Sequence, residues 1–407
     1  MFIKEVVPSI IKNSRGEETF QIIVRTPRGN FIASAPGGKS TGKYEKPAFN
    51  KGIHWSFKIL NEFCWKMYNK TFTLDSINDL DNFEKIIKKF EFGFGEIGAN
   101  GVYALETALL KAAAKEKGME LWEFILKNGN KKKEYELKMP IPVGNCVGGG
   151  MHSKGFNGKK PDFQEFLFIS KANSVAKEIR KNLNAYEKVK VLLKKKHKSW
   201  SMKRNDEGAW ETNLSNEEVL DIMKKVAEKY DLNIGLDVAS STFYNPYTRE
   251  YYYKNKRIER TREEQIEYMR LLAEKYKIIY IEDPIQQEDF NGYTKVLTDL
   301  EKHGCLIVGD DLTVTNLERT KSAYGIKSIN SMIVKPNQIG SLVEVAKVIE
   351  FCKKSRIKII FSHRSGETMD DALADYAVGF QADFIKCGIY GKERLVKLRR
   401  LIEIEKS

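Results

Sequence analysis

One pattern recurs through the second half of this chain: a short run rich in Ile, Val and Leu ends in a charged residue, and a helical pattern follows. The runs cover residues 233–237, 278–282, 306–310, 332–335, 357–363 and 384–386. A run apolar at nearly every position, without strict alternation, suits a strand buried on both faces, as in a parallel sheet covered by helices. Consecutive ends lie 45, 28, 25, 28 and 23 residues apart, close to one βα unit. This spacing predicts a (β/α)8-type barrel, whose reactive groups come from the C-terminal ends of its strands.

The chain has 407 residues. A barrel of about 250 residues leaves room for a smaller domain in front of it, so two domains are expected, 1–135 and 136–407. The first reads as α+β. Residues 3–11, 20–25 and 30–35 form a three-stranded antiparallel meander, its last turn being Thr26-Pro27-Arg28-Gly29 with Pro and Gly where a type I turn favours them. Helical patterns follow over 44–68, 77–90 and 102–128. Polar residues 128–133 form the expected linker. The second domain opens with strands over 141–144 and 162–170, then a basic helix over 174–195. A Gly-x-Gly-x-x-Gly match at Gly93, Gly95 and Gly98 follows no strand and is not read as a nucleotide site.

Sixty-nine basic residues against 55 acidic ones give a net charge of +14, which favours an anionic partner. A phosphorylated metabolite or nucleic acid would satisfy it, and no nucleic-acid motif supports the latter. Five scattered cysteines without a Cys-x-x-Cys pair read as reduced thiols of a cytoplasmic protein. No apolar run approaches the ~18 residues of a membrane helix, and no membrane association is expected.

Three of the strand ends carry carboxylates, Asp237, Glu282 and Asp310. Later ends carry Lys335, His363 with Arg364, and Lys386. Carboxylates from neighbouring strands converge at a barrel mouth, where their repulsion calls for a hard divalent cation with oxygen ligands, Mg²⁺ above all. A lysine beside bound cations and partly desolvated loses basicity, so that Lys335 becomes a usable base. Metal and lysine together suit proton abstraction next to a carboxylate, because divalent charge stabilises the dianion that forms. An acid is needed opposite, and Glu207 is available.

Whole motifs then point to one family. Asn13-Ser-Arg-Gly16, Pro36-Gly-Gly-Lys-Ser-Thr-Gly42, Gly149-Gly-Met-His152, Gln164-Glu-Phe166, Gly309-Asp-Asp-Leu-Thr313, Lys335-Pro-Asn-Gln-Ile-Gly340 and Ser362-His-Arg-Ser-Gly366 resemble, in order, the motifs of archaeal-like enolases (phosphopyruvate hydratases) over nearly the full length. The resemblance implies a lyase that converts 2-phosphoglycerate to phosphoenolpyruvate with two Mg²⁺ per site. Asp237, Glu282 and Asp310 would hold the first ion, and Ser40 would bring its mobile loop onto the second. Lys335 would remove the C2 proton, and Glu207, positioned with Glu165, would protonate the departing C3 hydroxyl. Arg364 and Ser365 would hold the phosphate, Lys386 the carboxylate side, and His152, Gln164 and His363 would complete the pocket. A homodimer or higher homo-oligomer is implied as well.

The chain departs from that pattern in several places. Gly37 and Lys39 stand where the family has Ser and Ala in the mobile loop, Asn13 replaces an Asp, and residues 154–161 enlarge a second loop with basic residues. Glu207 is followed by Gly-Ala-Trp in place of Gly-Gly-Phe, and the chain stops soon after residues 402–405. Two other readings share the sequence: a paralogue acting on another anionic hydroxy acid, and a nucleic-acid-binding or scaffold protein on the same fold.

Overall fold

Phe20, Ile22 and Val24 are buried and alternate with Gln21, Ile23 and Arg25, the period of a strand with one face in a core. In the computed structural model, which describes residues 1–39, 41–132, 134–155, 158–170, 174–196 and 200–407, this strand (Glu18–Thr26) is the centre of the meander. Glu5–Lys12 and Gly29–Ser34 pair with it on either side, both antiparallel. Its apolar face packs on the helix Ala99–Glu116, whose Ala104, Ala108 and Ala112 are fully buried and let backbone and sheet approach closely. A fourth short piece, Phe2–Ile3, pairs with Lys70–Thr71.

Two of the expected helices are shorter. The pattern over 44–68 yields a helix only at Ile53–Lys66, because Pro47 and Gly52 interrupt it and Gly52 takes φ +94°. The pattern over 102–128 divides into Ala99–Glu116 and Leu121–Leu126, with Gly118 at φ +59° between them. The third expected helix is present as Leu80–Phe94.

Among the described residues, eight strands close into a barrel: Ile141–Gly148, Glu165–Ser170, Leu232–Asp237, Ile278–Glu282, Leu306–Gly309, Ser331–Val334, Lys358–Ser362 and Phe384–Lys386, the last pairing back with the first. Val143, Leu167, Ile169, Tyr280, Val308, Ile333 and Ile360 pack together inside as a filled layer. Burying each such side chain contributes about 1.5–3 kcal/mol. Helix starts between strands are fixed locally: Ser215 and Thr261 accept N–H groups three residues on, while Glu218 and Glu264 reach back to the cap.

The βα alternation is broken at one place. The second strand, Glu165–Ser170, runs antiparallel to both neighbours. Among the described residues, its connection from the first strand contains a single 3₁₀ turn, Gly150–His152, and no helix, and a connection without a crossover helix returns the chain in the opposite direction. Two helices, Val175–Lys196 and Asn216–Tyr230, then precede the third strand. The reversal brings the start of the second strand to the face where all other strands end.

Candidate active site

At that face Lys386, the last residue of the eighth strand, sends its ammonium into a cluster of carboxylates. Its Nζ lies 2.9 Å from Asp237 Oδ2, 2.8 Å from Glu282 Oε2 and 3.2 Å from Glu165 Oε2, with all four residues buried. Burial disfavours its charge, but Asp237, Glu165 and Glu282 outweigh that and hold the lysine well above its ordinary pKa. Glu282 is pushed up to about 8 by burial and by Asp237, with Lys386 opposing. Tyr280, one turn of the pleat below, donates its hydroxyl to Glu282 at 2.7 Å, and Gln164 Nε2 donates to Asp237 Oδ2 at 3.2 Å.

Lys335 follows the sixth strand and its ammonium pairs with Asp310. Burial would lower its pKa, yet Asp310 raises it above the ordinary lysine value. The backbone here is tightly prescribed. Val314 and Thr315 both take left-handed φ values of 44° and 54°, costly for β-branched residues. Thr315 Oγ1 accepts the Lys335 N–H at 2.9 Å and donates to Gln338 Oε1 at 2.6 Å, and Gln338 in turn donates to Asp310 at 3.3 Å.

Sequence reading missed two carboxylates. Asp283 accepts the N–H groups of Asp310 and Asp311 at 3.0 and 2.8 Å and the Tyr293 hydroxyl at 2.6 Å, fixing the turn that presents Asp310. Asp283, Asp310 and Asp311 form a tight carboxylate group, and burial together with Asp310 pushes Asp311 up to about 7. Both extra residues directly follow an assigned acid, so position along the chain carried no separate signal for them.

Opposite the lysines lies a carboxyl pair. Glu207 receives Asn145 Nδ2 at 2.9 Å and faces His152 Nδ1 at 3.2 Å and His363 Nε2 at 3.9 Å. Burial raises its pKa, but His152 reverses the outcome and keeps it well below the carboxylate range. Burial and the Glu207 charge push Glu165 well above that range. Their opposite shifts make the pair, and neither residue alone, the titrating unit. His363 is neutral, since burial and the Arg394 charge hold its pKa far down.

Glu207 owes its place to the segment the sequence left unassigned. Asn205 Oδ1 accepts the N–H groups of Glu207 and Ala209 at 3.0 and 2.9 Å. Gly208 has φ +81°, and a Cβ there would stand 2.5 Å from the Tyr390 carbonyl oxygen. Trp210 is fully buried, stacked on Tyr186 at 4.7 Å with the Arg204 guanidinium 4.2 Å from its ring centre. Its short strand, Trp210–Glu211, pairs with the end of the first barrel strand.

Residues 36–39 and 41–46 of the smaller domain lie over the mouth. Gly37 and Gly366 exchange main-chain hydrogen bonds of 2.7 and 2.8 Å. Arg364 lies against Gly38 and pairs with Glu45 at 2.9 Å, and Ser365 Oγ accepts from Lys39 N at 2.9 Å and from Arg15 Nη1 at 3.1 Å. A cavity of about 20 Å³ remains between Lys39, Glu165, Glu207, Asp237, Lys335 and Lys386. Ser40 lies outside the described residues, as do residues 156 and 157 of the enlarged loop.

Oxygen donors of the kind a hard divalent cation prefers are gathered here, but the groups close enough to share one ion are Asp283–Asp310–Asp311 and His152–Glu165–Glu207, while Asp237 and Glu282 close on Lys386. Asp237, Glu282 and Asp310 offer only oxygen, sit at consecutive strand ends, and already gather two ammonium groups as counter-charge. Gln164 Oε1 is buried beside them with no hydrogen-bond partner among the described residues.

Fold and site define a class: a barrel protein whose mouth, roofed by a smaller α+β domain, carries a buried cluster of carboxylates, two lysines and two histidines. Comparison with known proteins narrows it. Residues 136–407 match "Enolase, C-terminal TIM barrel domain" and residues 3–125 match "Enolase, N-terminal domain". Proteins named enolase from Methanosphaera stadtmanae and Methanothermobacter thermautotrophicus are 37% and 34% identical over 100% of this chain and 97% and 96% of their own lengths. One from Archaeoglobus fulgidus is 32% identical over 100% of this chain and 97% of its own. The chain belongs to the enolase family.

Proposed function

We propose that this chain is a working enolase, catalysing the Mg²⁺-dependent, reversible dehydration of 2-phosphoglycerate to phosphoenolpyruvate in glycolysis and gluconeogenesis. The observation that carries the reading is the meeting of Lys335, Asp237, Lys386 and the Glu165–Glu207 pair around one cavity. Bound at Asp237, Glu282 and Asp310, with a second ion reached by Ser40, Mg²⁺ would supply the charge that acidifies the carbon next to the substrate carboxylate.

The protein's own groups do the rest. Lys335 takes the C2 proton once its pair with Asp310 opens and its amine is neutral. Glu207, paired with Glu165, protonates the C3 hydroxyl as it leaves. Arg364 and Ser365 hold the phosphate, and Lys386 neutralises the carboxylate side. His152, Gln164 and His363 complete the wall, with His363 neutral and thus able to accept or donate one hydrogen bond.

We further infer a division into domains 1–135 and 136–407, a cytoplasmic location and a homo-oligomer of at least two chains. Among the described residues no helix is long and apolar enough to cross a membrane. The test is formation of phosphoenolpyruvate from 2-phosphoglycerate by folded protein with Mg²⁺ and its loss on chelation. Folded protein that makes none with Mg²⁺ present overturns the reading.

A further inference from the structure

The covering segment, residues 36–39 and 41–46, is held by two kinds of contact. The Gly37–Gly366 bridge and the bond from Lys39 N to Ser365 use main-chain groups that any residue at position 39 would supply. The Lys39 side chain adds something of its own. Its Nζ reaches Asp206 Oδ2 at 3.1 Å, across the mouth and next to Glu207.

Asp206 is already a junction. Its Oδ2 lies 3.6 Å from Arg15 Nε, and Arg15 Nη1 donates to the same Ser365 hydroxyl that Lys39 N uses. From the C-terminal helix, Arg394 Nη2 donates to the Ser365 carbonyl at 2.8 Å and to the Asp206 carbonyl at 3.4 Å. Arg15, Lys39 and Arg394, from three separate parts of the chain, meet at Asp206 and Ser365, and Lys39 is the one carried by the closing segment. The cavity beneath, about 20 Å³, holds little more than a water molecule. A three-carbon phosphate ester can enter only when the segment lifts, so every visit of substrate requires the Lys39–Asp206 pair to break and re-form.

We propose that Lys39 is a positioning residue: its ion pair with Asp206 fastens the segment over the site and so raises the fraction of protein in the closed, substrate-retaining arrangement. The inference rests on the enolase reading of the site. It assigns a role to the side chain at the position where this chain departs from the family's alanine. The pair is about one-third exposed on each side, so its effect is modest and salt-sensitive.

The test compares wild type with Lys39→Ala, Lys39→Arg, Asp206→Asn and the Lys39→Ala/Asp206→Asn double variant, reading amide hydrogen exchange over residues 36–46 in unliganded protein and KM for 2-phosphoglycerate. Lys39→Ala is expected to speed exchange by about two- to fivefold, the size of one such pair acting on a closure equilibrium, with KM and kcat each changed less than about twofold because the pair opens for entry and re-forms over the substrate. The double variant should match Asp206→Asn alone, and Lys39→Arg should restore wild-type values. Unchanged exchange in Lys39→Ala, additive effects in the double variant, or Lys39→Arg behaving as Lys39→Ala would overturn the proposal. A wild type that makes no phosphoenolpyruvate would remove the parent reading instead, and the exchange measurements would still judge the latch.

Discussion

Glu165, the first residue of the antiparallel barrel strand, stands directly across from Asp237, the last residue of the strand beside it. One carboxylate lies beside Glu207 and the other beside Glu282, and Lys386 reaches both. The reversed strand is what makes this possible. A parallel second strand would present its far end, Ser170, at the mouth in place of Gln164 and Glu165.

Lys386 is the internal counter-ion of that carboxylate cluster. Replacing it with Met leaves Asp237, Glu165 and Glu282 buried without their shared ammonium, a loss of about 3–5 kcal/mol for a broken buried pair. Lys386→Met is expected to melt several degrees below wild type in chelator and to recover more than wild type does when Mg²⁺ is added. Equal melting temperatures in chelator would contradict the counter-ion role.

Gly208 sets the position of Glu207. Alanine there combines a left-handed φ with a 2.5 Å approach to the Tyr390 carbonyl, so the turn must shift. A displacement near 1 Å at a reacting group costs about 100-fold. Gly208→Ala is expected to lower kcat by about that factor while the circular dichroism spectrum stays that of wild type, and full activity would show the turn to be tolerant.

These two sites show what the sequence could and could not reveal. Asp237, Glu282, Lys335 and Lys386 were legible because each closes an apolar run, and the strand end is a fixed place in the fold. The antiparallel strand was hidden because a run buried on both faces reads the same in either direction. Asp283 and Asp311 were hidden behind neighbours that already explained the local charge. Trp210, in a two-residue strand too short to show a pattern, depends on stacking against Tyr186 from a separate helix, which no local pattern encodes.

A second carboxyl group lies away from the mouth, where helix Ala99–Glu116 meets the turn after Lys335. Glu106 is fully buried and accepts the Leu342 N–H at 2.7 Å, while Glu84 accepts from the Ser341 hydroxyl. Burial and the Glu84 charge hold the Glu106 pKa well above its ordinary 4.5. The folded state therefore binds this proton more tightly than the unfolded state. The stability it contributes is complete below pH 4.5 and declines as pH rises toward the folded pKa, by up to ~1.4 kcal/mol per pH unit. Glu106→Gln keeps an acceptor for Leu342 and removes the titration. Its melting temperature should fall less than wild type's as pH rises above 4.5, and parallel curves would rule out this source of pH dependence.

The central claim is that Lys335 and Glu207 handle different protons of one substrate. The direct measurement is exchange of the C2 hydrogen of 2-phosphoglycerate with deuterated solvent, followed by NMR in Mg²⁺ beside phosphoenolpyruvate formation. Glu207→Gln should retain C2 exchange while product formation falls by about 10²–10⁴-fold, and Lys335→Ala should lose both. Exchange that persists in Lys335→Ala would contradict the account.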